Sequence, residues 1–201
     1  MSLRDDTPIG DKICFMTTLV GIQGPDFVVM GADSQITDND QRIISTQTPK
    51  IVRKGKYLLG VTGDSRPGDI LIYNWKPPMY KRQDPVDWMG RVVIPSIYNA
   101  FKDNGYEPND KEASFAYLIA FDSYLFSIGS DLSFNGSENG LFTAGSGGPY
   151  ALGYLYSLKP GSYKSLLMAK VIAERAVKIA SVLDINTCPP IQLETQQRGW
   201  E

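Results

Sequence analysis

The sequence predicts a layered α+β domain, a fold class in which blocks of strands and blocks of helices follow one another along the chain. Apolar, β-branched segments bounded by turn residues form one block in the first third of the chain and a second block after residue 114. Segments with helical periodicity follow each block, so single strands and single helices do not alternate. No linker or internal repeat divides the 201 residues, which predicts one domain.

The first block predicts four strands. Turn residues at 24–26 (Gly-Pro-Asp) and 38–40 (Asp-Asn-Asp) separate apolar runs of strand length. The predicted strands are residues 13–22, 27–32, 50–52 and 57–61.

A helix is predicted to begin at Asp84. This aspartate can cap free backbone N–H groups, and Pro85 is favoured in the first helical turn. Pro95 predicts a kink and Asn104 with Gly105 predicts the end of the helix. Apolar residues recur every fourth position between these limits, at Met89, Val93, Ile97 and Phe101.

The second block predicts a hairpin and two helices. Strands are expected at 115–121 and 124–128, with further strands at 141–144 and 191–193. A short helix is expected to begin within 147–150 and to run through Leu155, and the longest helix is expected at 163–183. The apolar stripe predicted for that long helix consists of Met168, Ile172, Ala176, Ile179 and Leu183.

The chain contains no histidine, and this excludes serine–histidine and cysteine–histidine catalysis. The two cysteines, Cys14 and Cys188, lack the spacing of a zinc site, and we expect no metal or other cofactor. The net charge of −2 without basic clusters argues against nucleic acid. No apolar run approaches the about 20 residues of a membrane helix, so we expect no membrane partner and a cytoplasmic location.

Five motifs carry a family resemblance. They are Thr17-Thr18-Leu19-Val20-Gly21, Gly31-Ala32-Asp33-Ser34, Pro49-Lys50-Ile51-Val52, Leu59-Gly60-Val61-Thr62-Gly63-Asp64 and Ala144-Gly145-Ser146-Gly147-Gly148-Pro149-Tyr150-Ala151. In order and spacing these motifs resemble proteasome β subunits and the bacterial heat-shock locus V peptidase, over roughly residues 13–194. The resemblance implies the four-layer αββα sandwich of the N-terminal nucleophile hydrolases.

The mechanism implied by this resemblance needs no imidazole. Thr17, exposed as the first residue, would attack a peptide carbonyl through its hydroxyl while its own α-amine takes up the proton. Lys50 would favour the ionised hydroxyl and Asp33 would hold Lys50 charged. The resemblance further implies that Ser146, Asp184 and Thr187 bind the α-amine and its water, and that the backbone N–H of Gly63 binds the oxyanion. Thr187 departs from the serine usual in the family but keeps the hydroxyl.

The residue before Thr17 is a larger departure. Met16 occupies the position where self-cleaving relatives usually carry glycine. We expect residues 1–16 to be an N-terminal extension or propeptide and residues 17–201 to form the domain. Translation starting at Met16, or slow autolysis after assembly, would expose Thr17. Two alternatives remain open: an unprocessed, non-catalytic ring subunit, and a small-molecule amidohydrolase with the same fold.

The resemblance also implies a substrate pocket and partners. Peptides or unfolded proteins would be the substrates, inside a homo-oligomeric ring fed by a separate ATPase. We expect Trp75, Tyr80 and Trp88 to be exposed aromatic residues that favour assembly. The residues implied to line the pocket are mostly apolar: Ile36, Thr48, Val52, Val61 and Ser65, with Arg66 near the rim.

Overall fold

Two antiparallel sheets form the centre of the protein. The computed structural model describes residues 14–38, 41–44, 49–108, 115–159 and 161–199. Sheet A contains β1 (Cys14–Phe15), β4 (Gln35–Asp38), β5 (Gln41–Ile44), β6 (Ile51–Lys54), β7 (Tyr57–Asp64), β8 (Phe115–Phe121), β9 (Tyr124–Ile128) and β10 (Phe134–Gly136). Sheet B contains β2 (Leu19–Gln23), β3 (Phe27–Ala32), β11 (Leu141–Ala144) and β12 (Gln192–Gln197).

The order of strands places the start of the chain inside sheet A. The order is β10-β9-β8-β7-β1-β4-β5, and β6 pairs with β7 beside this path. Both β6 and β1 therefore lie along one edge of β7, β6 opposite residues 57–60 and β1 opposite residues 63–64. Sheet B has the order β11-β2-β3-β12.

Helices cover the outer face of each sheet. The helices are α1 (Ser65–Asp69), which continues into a π-helical turn at Ile70–Asn74, α2 (Pro85–Trp88), which continues through a π-helical turn at Met89–Val93 into α3 (Ile94–Asp103), α4 (Gly148–Ser157) and α5 (Leu166–Leu183). Among the described helices, none is long and apolar enough to cross a membrane.

Three apolar cores separate the four layers. The first joins the α1–α3 region to sheet A, and the second joins α4 and α5 to sheet B. The third lies between the two sheets and includes Leu19, Met30, Leu58 and Leu118. The αββα sandwich implied by the sequence is therefore confirmed.

Most of the predicted strands are confirmed, but one predicted segment is wrong and some strands were missed. The segment 13–22 is not one strand, because β1 belongs to sheet A and β2 to sheet B. Residues 16–18 carry the chain from one sheet to the other. The β4–β5 hairpin was missed because its polar residues hide the alternation of a strand.

The helix predictions need three corrections. Helix α1 was missed because Pro67 and Gly68 resemble a turn, yet both are buried in the helix. A π-helical turn at Met89–Val93 precedes Pro95, so the irregularity predicted from this proline lies on its N-terminal side. In α5 the predicted stripe is shifted: Met168 and Leu183 are about half exposed, and the buried face is rich in alanine, which lets the helix pack closely on sheet B.

The predicted exposure of two tryptophans is wrong. Trp75 is 1% exposed and Trp88 is 4% exposed. Each indole N–H donates a hydrogen bond, Trp75 to Ser96 and Trp88 to Tyr57. These aromatic residues belong to the first core and give no support to assembly.

Candidate active site

A buried ion pair lies beside the start of β2. Asp33 follows β3 and Lys50 precedes β6, and Lys50 Nζ lies 2.8 Å from Asp33 Oδ1. Their side chains are 0% and 1% exposed, respectively. Burial on this scale requires that each charge be compensated, and the pair meets that requirement.

Backbone N–H groups from three segments hold the Asp33 carboxylate. Thr18 donates to Oδ1 at 3.0 Å, and Gln35 and Cys188 donate to Oδ2 at 2.9 and 3.1 Å. With Lys50 the carboxylate accepts four hydrogen bonds, so its position is fixed. Asp33 thereby connects the chain after Thr17, the start of β4 and the segment before β12.

Lys50 also approaches the peptide bond before Thr17. Its Nζ lies 3.5 Å from the carbonyl oxygen of Met16. Burial lowers the pKa of the Lys50 ammonium, and the neighbouring Asp33 carboxylate opposes that shift. A cation of reduced pKa therefore lies next to the Met16–Thr17 bond.

A second polar group is centred on Asp184 at the C-terminal end of α5. Asp184 Oδ2 accepts hydrogen bonds from Ser146 Oγ at 2.8 Å and from Thr187 Oγ1 at 2.6 Å. Asp184 Oδ1 accepts the backbone N–H of Asn186 at 3.2 Å. The structure thus brings together the three residues that the resemblance assigns to one role.

Thr18 connects the two polar groups and was not identified from the sequence. Its N–H donates to Asp33, and its Oγ1 lies 2.6 Å from Thr187 Oγ1. Both Thr17 and Thr18 are completely buried. The sequence signal for this role was the pair of adjacent threonines in the first motif. Both directly precede a buried apolar strand, and buried polar side chains need hydrogen-bond partners.

Two glycines of the 145–148 turn allow the close approach of this chain segment. A Cβ atom on Gly145 would lie 1.9 Å from the carbonyl oxygen of Thr17. One on Gly147 would lie 1.8 Å from Thr18 Oγ1 and 3.0 Å from Asp184 Oδ2. Only glycine fits at either position without displacing its neighbours.

Residues before Thr17 occupy sheet A as a paired strand. Cys14 lies opposite Thr37 of β4 and Asp64 of β7, and Phe15 lies opposite Gly63. Strand β1 therefore separates β4 from β7, and Gly63 faces the extension in the form described. Adjacent strands lie about 4.8 Å apart, so the space that β1 fills is about 9.6 Å wide.

Four of the five implied pocket residues lie within the described part of the chain. Val61 is buried in β7, Val52 packs against the same core, and Ser65 begins α1 directly after β7. Ile36 lies in β4 and is half-buried. Thr48 lies outside the described residues. Within the described ranges, no group of three His, Cys, Asp or Glu residues is arranged to hold a metal ion.

Sequence comparison finds no relative of this chain. No protein-family model matches it, and no curated protein matches it.

Solved structures do match the fold. BPH of Thiobacillus denitrificans, solved in complex with epoxomicin, has a TM-score of 0.72 at 20% identity over 91% of this chain and 100% of its own. Eukaryotic HslV from Trypanosoma brucei has a TM-score of 0.64 at 16% identity, over 90% and 99% of the two chains. The Anbu (Gly-1) mutant from Hyphomicrobium sp. strain MC1 has a TM-score of 0.68 at 15% identity, over 90% and 81%. The resemblance drawn from the five motifs is thus confirmed at the level of fold: the chain has the architecture of the proteasome-like N-terminal nucleophile hydrolases.

Proposed function

We propose that this protein is a threonine peptidase subunit of a proteasome-like ring, in which Thr17 becomes the nucleophile once its α-amine is released. The observation that carries the proposal is the buried Asp33–Lys50 pair, whose ammonium lies 3.5 Å from the carbonyl of the residue before Thr17. A scaffold has no need for an isolated cation and its compensating acid at that point, since a buried pair contributes little to stability.

The residues divide the chemistry between them. The Thr17 hydroxyl oxygen would attack the substrate carbonyl, and the Thr17 amine would accept the hydroxyl proton. A model α-amine titrates near pH 8, close to neutral pH, so it can act as a base without histidine. The Thr17 ammonium passes this proton to the peptide's nitrogen, which leaves as an amine and leaves an ester on Thr17. Water then hydrolyses the ester to the acid and free Thr17.

The neighbouring groups support specific steps. Lys50 stabilises the oxygen of Thr17 as it loses its proton, and Asp33 holds Lys50 in place. Ser146, Asp184 and Thr187 bind the α-amine, and the 2.6 Å contact between Thr18 and Thr187 fixes that group relative to the nucleophile. Gly63 would donate its N–H to the oxyanion after the extension leaves.

The space occupied by β1 supports an extended peptide as substrate. A peptide that adds as a strand to the edge of a sheet gains affinity from backbone hydrogen bonds and selectivity from pockets for its side chains. With β1 absent, the exposed edges of β7 and β4 would offer such bonds on both sides. Ile36, Thr48, Val52, Val61 and Ser65 would line a mostly apolar pocket beside Thr17.

The ring and its partners belong to the same proposal. Exposed apolar side chains near the site support contact with further copies: Val182 is 82% exposed and Ile185 is 86% exposed, on either side of Asp184. A homo-oligomeric ring would enclose the site, and a separate ATPase would deliver unfolded protein. Light scattering after size exclusion should show at least six chains, and a 22.2 kDa monomer at micromolar concentration would contradict the ring.

A second candidate is an unprocessed structural subunit of the same ring. It is favoured by the complete burial of Thr17 and by the pairing of β1 on both edges while the extension is attached. In that form the Thr17 nitrogen is an amide and cannot act as a base. The two candidates differ in whether residues 1–16 are removed and in whether Thr17 is catalytic once it is exposed.

One experiment separates them. A protein in which Thr17 is the first residue should hydrolyse short apolar peptides and form a mass adduct with epoxomicin on Thr17, and the full-length chain should do neither. Epoxomicin is chosen because the BPH structure contains it, and its epoxyketone consumes both a hydroxyl and a free amine. In the protein that begins at Thr17, Thr17→Ala should abolish turnover without loss of the fold. Lys50→Ala should abolish turnover and also lower stability, because Asp33 loses its buried partner. An assembled protein with Thr17 exposed but neither turnover nor adduct would leave the structural subunit as the surviving function.

A further inference from the structure

A basic cleft lies at the end of the sheets remote from Thr17. We define it by two cavities of about 340 Å³ and 40 Å³ that share three lining residues, Tyr80, Arg82 and Asp122. The larger cavity adds Tyr124 and Arg198, and the smaller adds Lys56. Its walls come from the 55–56 turn, the β8–β9 turn, the end of β12 and the 75–84 loop.

The cleft is separate from the candidate active site. Tyr57 pairs with Phe121 at the cleft end of β7 and β8, and Gly63 pairs with Phe115 at the other end. Six residues of strand separate these pairs, which corresponds to about 20 Å. No residue lining the cleft belongs to the peptidase machinery proposed above.

The charge around the cleft is unbalanced. Lys56, Arg82 and Arg198 all face it, and within the described part of the chain none of them lies within 4.0 Å of a carboxylate. The chain has more acidic than basic residues, 22 against 20, so a cluster of unneutralised cations is not a reflection of its composition. Asp122 is the single acid among the described residues of the lining, and it accepts the N–H of Gly199 at 3.2 Å.

Arg198 is held in a defined orientation. Its Nε donates to Ser123 Oγ at 3.2 Å, and its guanidinium lies 5.8 Å from the centre of the Tyr124 ring. These contacts involve Nε and one face of the guanidinium. The two terminal Nη groups have no partner among the described residues. A planar fork fixed in this way matches a carboxylate or a phosphate.

Arg82 shows backbone strain at the same place. Its φ of 54° lies in the left-handed region, which is unfavourable for a residue with a long side chain. Strained residues of this kind concentrate at ligand sites, because surrounding contacts hold them there. In this loop, Tyr80 Oη donates to the carbonyl of Gln83 and brackets Arg82.

Aromatic rings form the rest of the wall. Tyr80 lies 4.9 Å from Phe121 and 5.6 Å from Trp88, measured between ring centres. These contacts fix Tyr80 against the first core. A ring that is packed on one side and lines a cavity on the other offers a surface for an aromatic ligand.

We propose that the basic cleft binds a small organic anion in which a carboxylate or phosphate is joined to an aromatic ring. Arg198 and Arg82 bind the anionic group, Lys56 adds long-range attraction, and Tyr80 and Tyr124 contact the ring. The volume of the larger cavity lies at the lower end of the about 300 to 1,000 Å³ typical of small-molecule sites, which favours a ligand with one ring.

Calorimetric titration of the full-length chain tests the proposal with benzoate, phenyl phosphate and neutral benzamide. We expect saturable binding of one or both anions and none of benzamide up to about 10 mM. Arg82→Gln and Arg198→Gln should each weaken anion binding by about tenfold, the effect of one charged contact. Asp122→Asn should strengthen it, because the substitution removes a negative charge from the lining. Arg91→Gln, at an exposed arginine outside the cleft, is the matched control and should leave binding within about twofold.

Three results would overturn the proposal: no saturable binding of either anion, equal binding of benzamide, or anion binding that neither arginine substitution weakens. Thermal melts show whether Arg198→Gln is folded, since that substitution removes the bond to Ser123. Arg82 is exposed and its side chain makes no hydrogen bond or ion pair with the described residues, so its variant keeps the test decisive. None of these outcomes depends on peptidase activity.

Discussion

Lys50 Nζ and Asp33 Oδ1 lie 2.8 Å apart, and almost none of either side chain is exposed to solvent. The pair has a clear energetic signature, because removing one charge leaves the other buried and uncompensated. Such losses typically cost about 3 to 5 kcal/mol, whereas exposed pairs contribute less than about 1 kcal/mol.

Asp33→Asn should therefore lower the unfolding free energy by several kcal/mol and shift the melting temperature downwards, as measured by denaturant titration and calorimetry. Glu174→Gln is the matched control, because Glu174 pairs with Lys178 on the exposed surface of α5 and should change stability by less than about 1 kcal/mol. The double substitution Asp33→Asn with Lys50→Met should recover part of the loss. An unchanged melting temperature for Asp33→Asn would mean that the carboxylate is not buried as described.

Gly147→Ala tests the close packing of the 145–148 turn. The added methyl group would overlap Thr18 Oγ1 at 1.8 Å and approach Thr187 Oγ1 at 2.8 Å, so the turn and the threonines must move apart. We expect a loss of about 1 to 3 kcal/mol in unfolding free energy and, in a protein with Thr17 exposed, a loss of turnover.

Gly153→Ala provides the control on the same chain. Gly153 lies inside α4, and apart from its chain neighbours and the helix's own nearby backbone no described residue comes within 4 Å of the position that the added methyl group would take. Alanine should stabilise this helix by about 0.5 to 1 kcal/mol. Equal effects of the two substitutions would contradict the packing described at Gly147.

Stability should fall with alkaline pH because of Tyr57. Burial raises the pKa of the Tyr57 hydroxyl from 10.0 to about 12. Between these values the unfolded chain loses the proton and the folded chain keeps it, so the folded state loses stability as the pH rises from about 10 to about 12. Tyr57→Phe should make this decline shallower while lowering stability at neutral pH, because the Trp88 N–H loses its acceptor.

The comparison for that experiment is Tyr73→Phe, since Tyr73 is 70% exposed. Denaturant titrations at several pH values should give the same dependence for this variant as for the unaltered protein. If Tyr57→Phe and Tyr73→Phe behave alike, Tyr57 does not carry the alkaline transition.

Removal of residues 1–16 should loosen the β4–β5 hairpin. Among the described strands, β1 is the one that joins β4 to the rest of sheet A. Hydrogen exchange followed by mass spectrometry should therefore show faster exchange across residues 35–38 and 41–44 in a protein that begins at Thr17, with β2 and β3 unchanged. Equal protection of the hairpin in the two proteins would show that other contacts hold it.

The sequence predicted the strands of the cores better than the path of the chain at the site. Phe27–Ala32, Phe115–Phe121 and Tyr124–Ile128 were predicted at their observed bounds, because their apolar runs are ended by turn residues. The segment before Thr17 was misjudged, since an apolar run does not reveal that it changes sheets. Local propensity carries no information about which sheet a strand joins.

The candidate site shows the same contrast between what local motifs reveal and what only the fold determines. The resemblance implied that Asp33 holds Lys50 and that Asp184 acts with Ser146 and Thr187, and the structure shows two hydrogen-bonded groups made of these residues. Thr18 was passed over because its role depends on Thr187, which is 169 positions away. A contact between such distant residues is set by the fold and leaves no local pattern.

Because β1 lies in the middle of sheet A, cleavage of the Met16–Thr17 bond and departure of the segment before it are two separate events. Its pairing with β4 and β7 involves backbone groups and does not require the Met16–Thr17 bond. Scission at that bond would leave the segment in place as a bound product, held by both neighbours. Activation would then follow the departure of this fragment, so activity should rise with a lag after the cut, and dilution should raise the final activity because the fragment rebinds less.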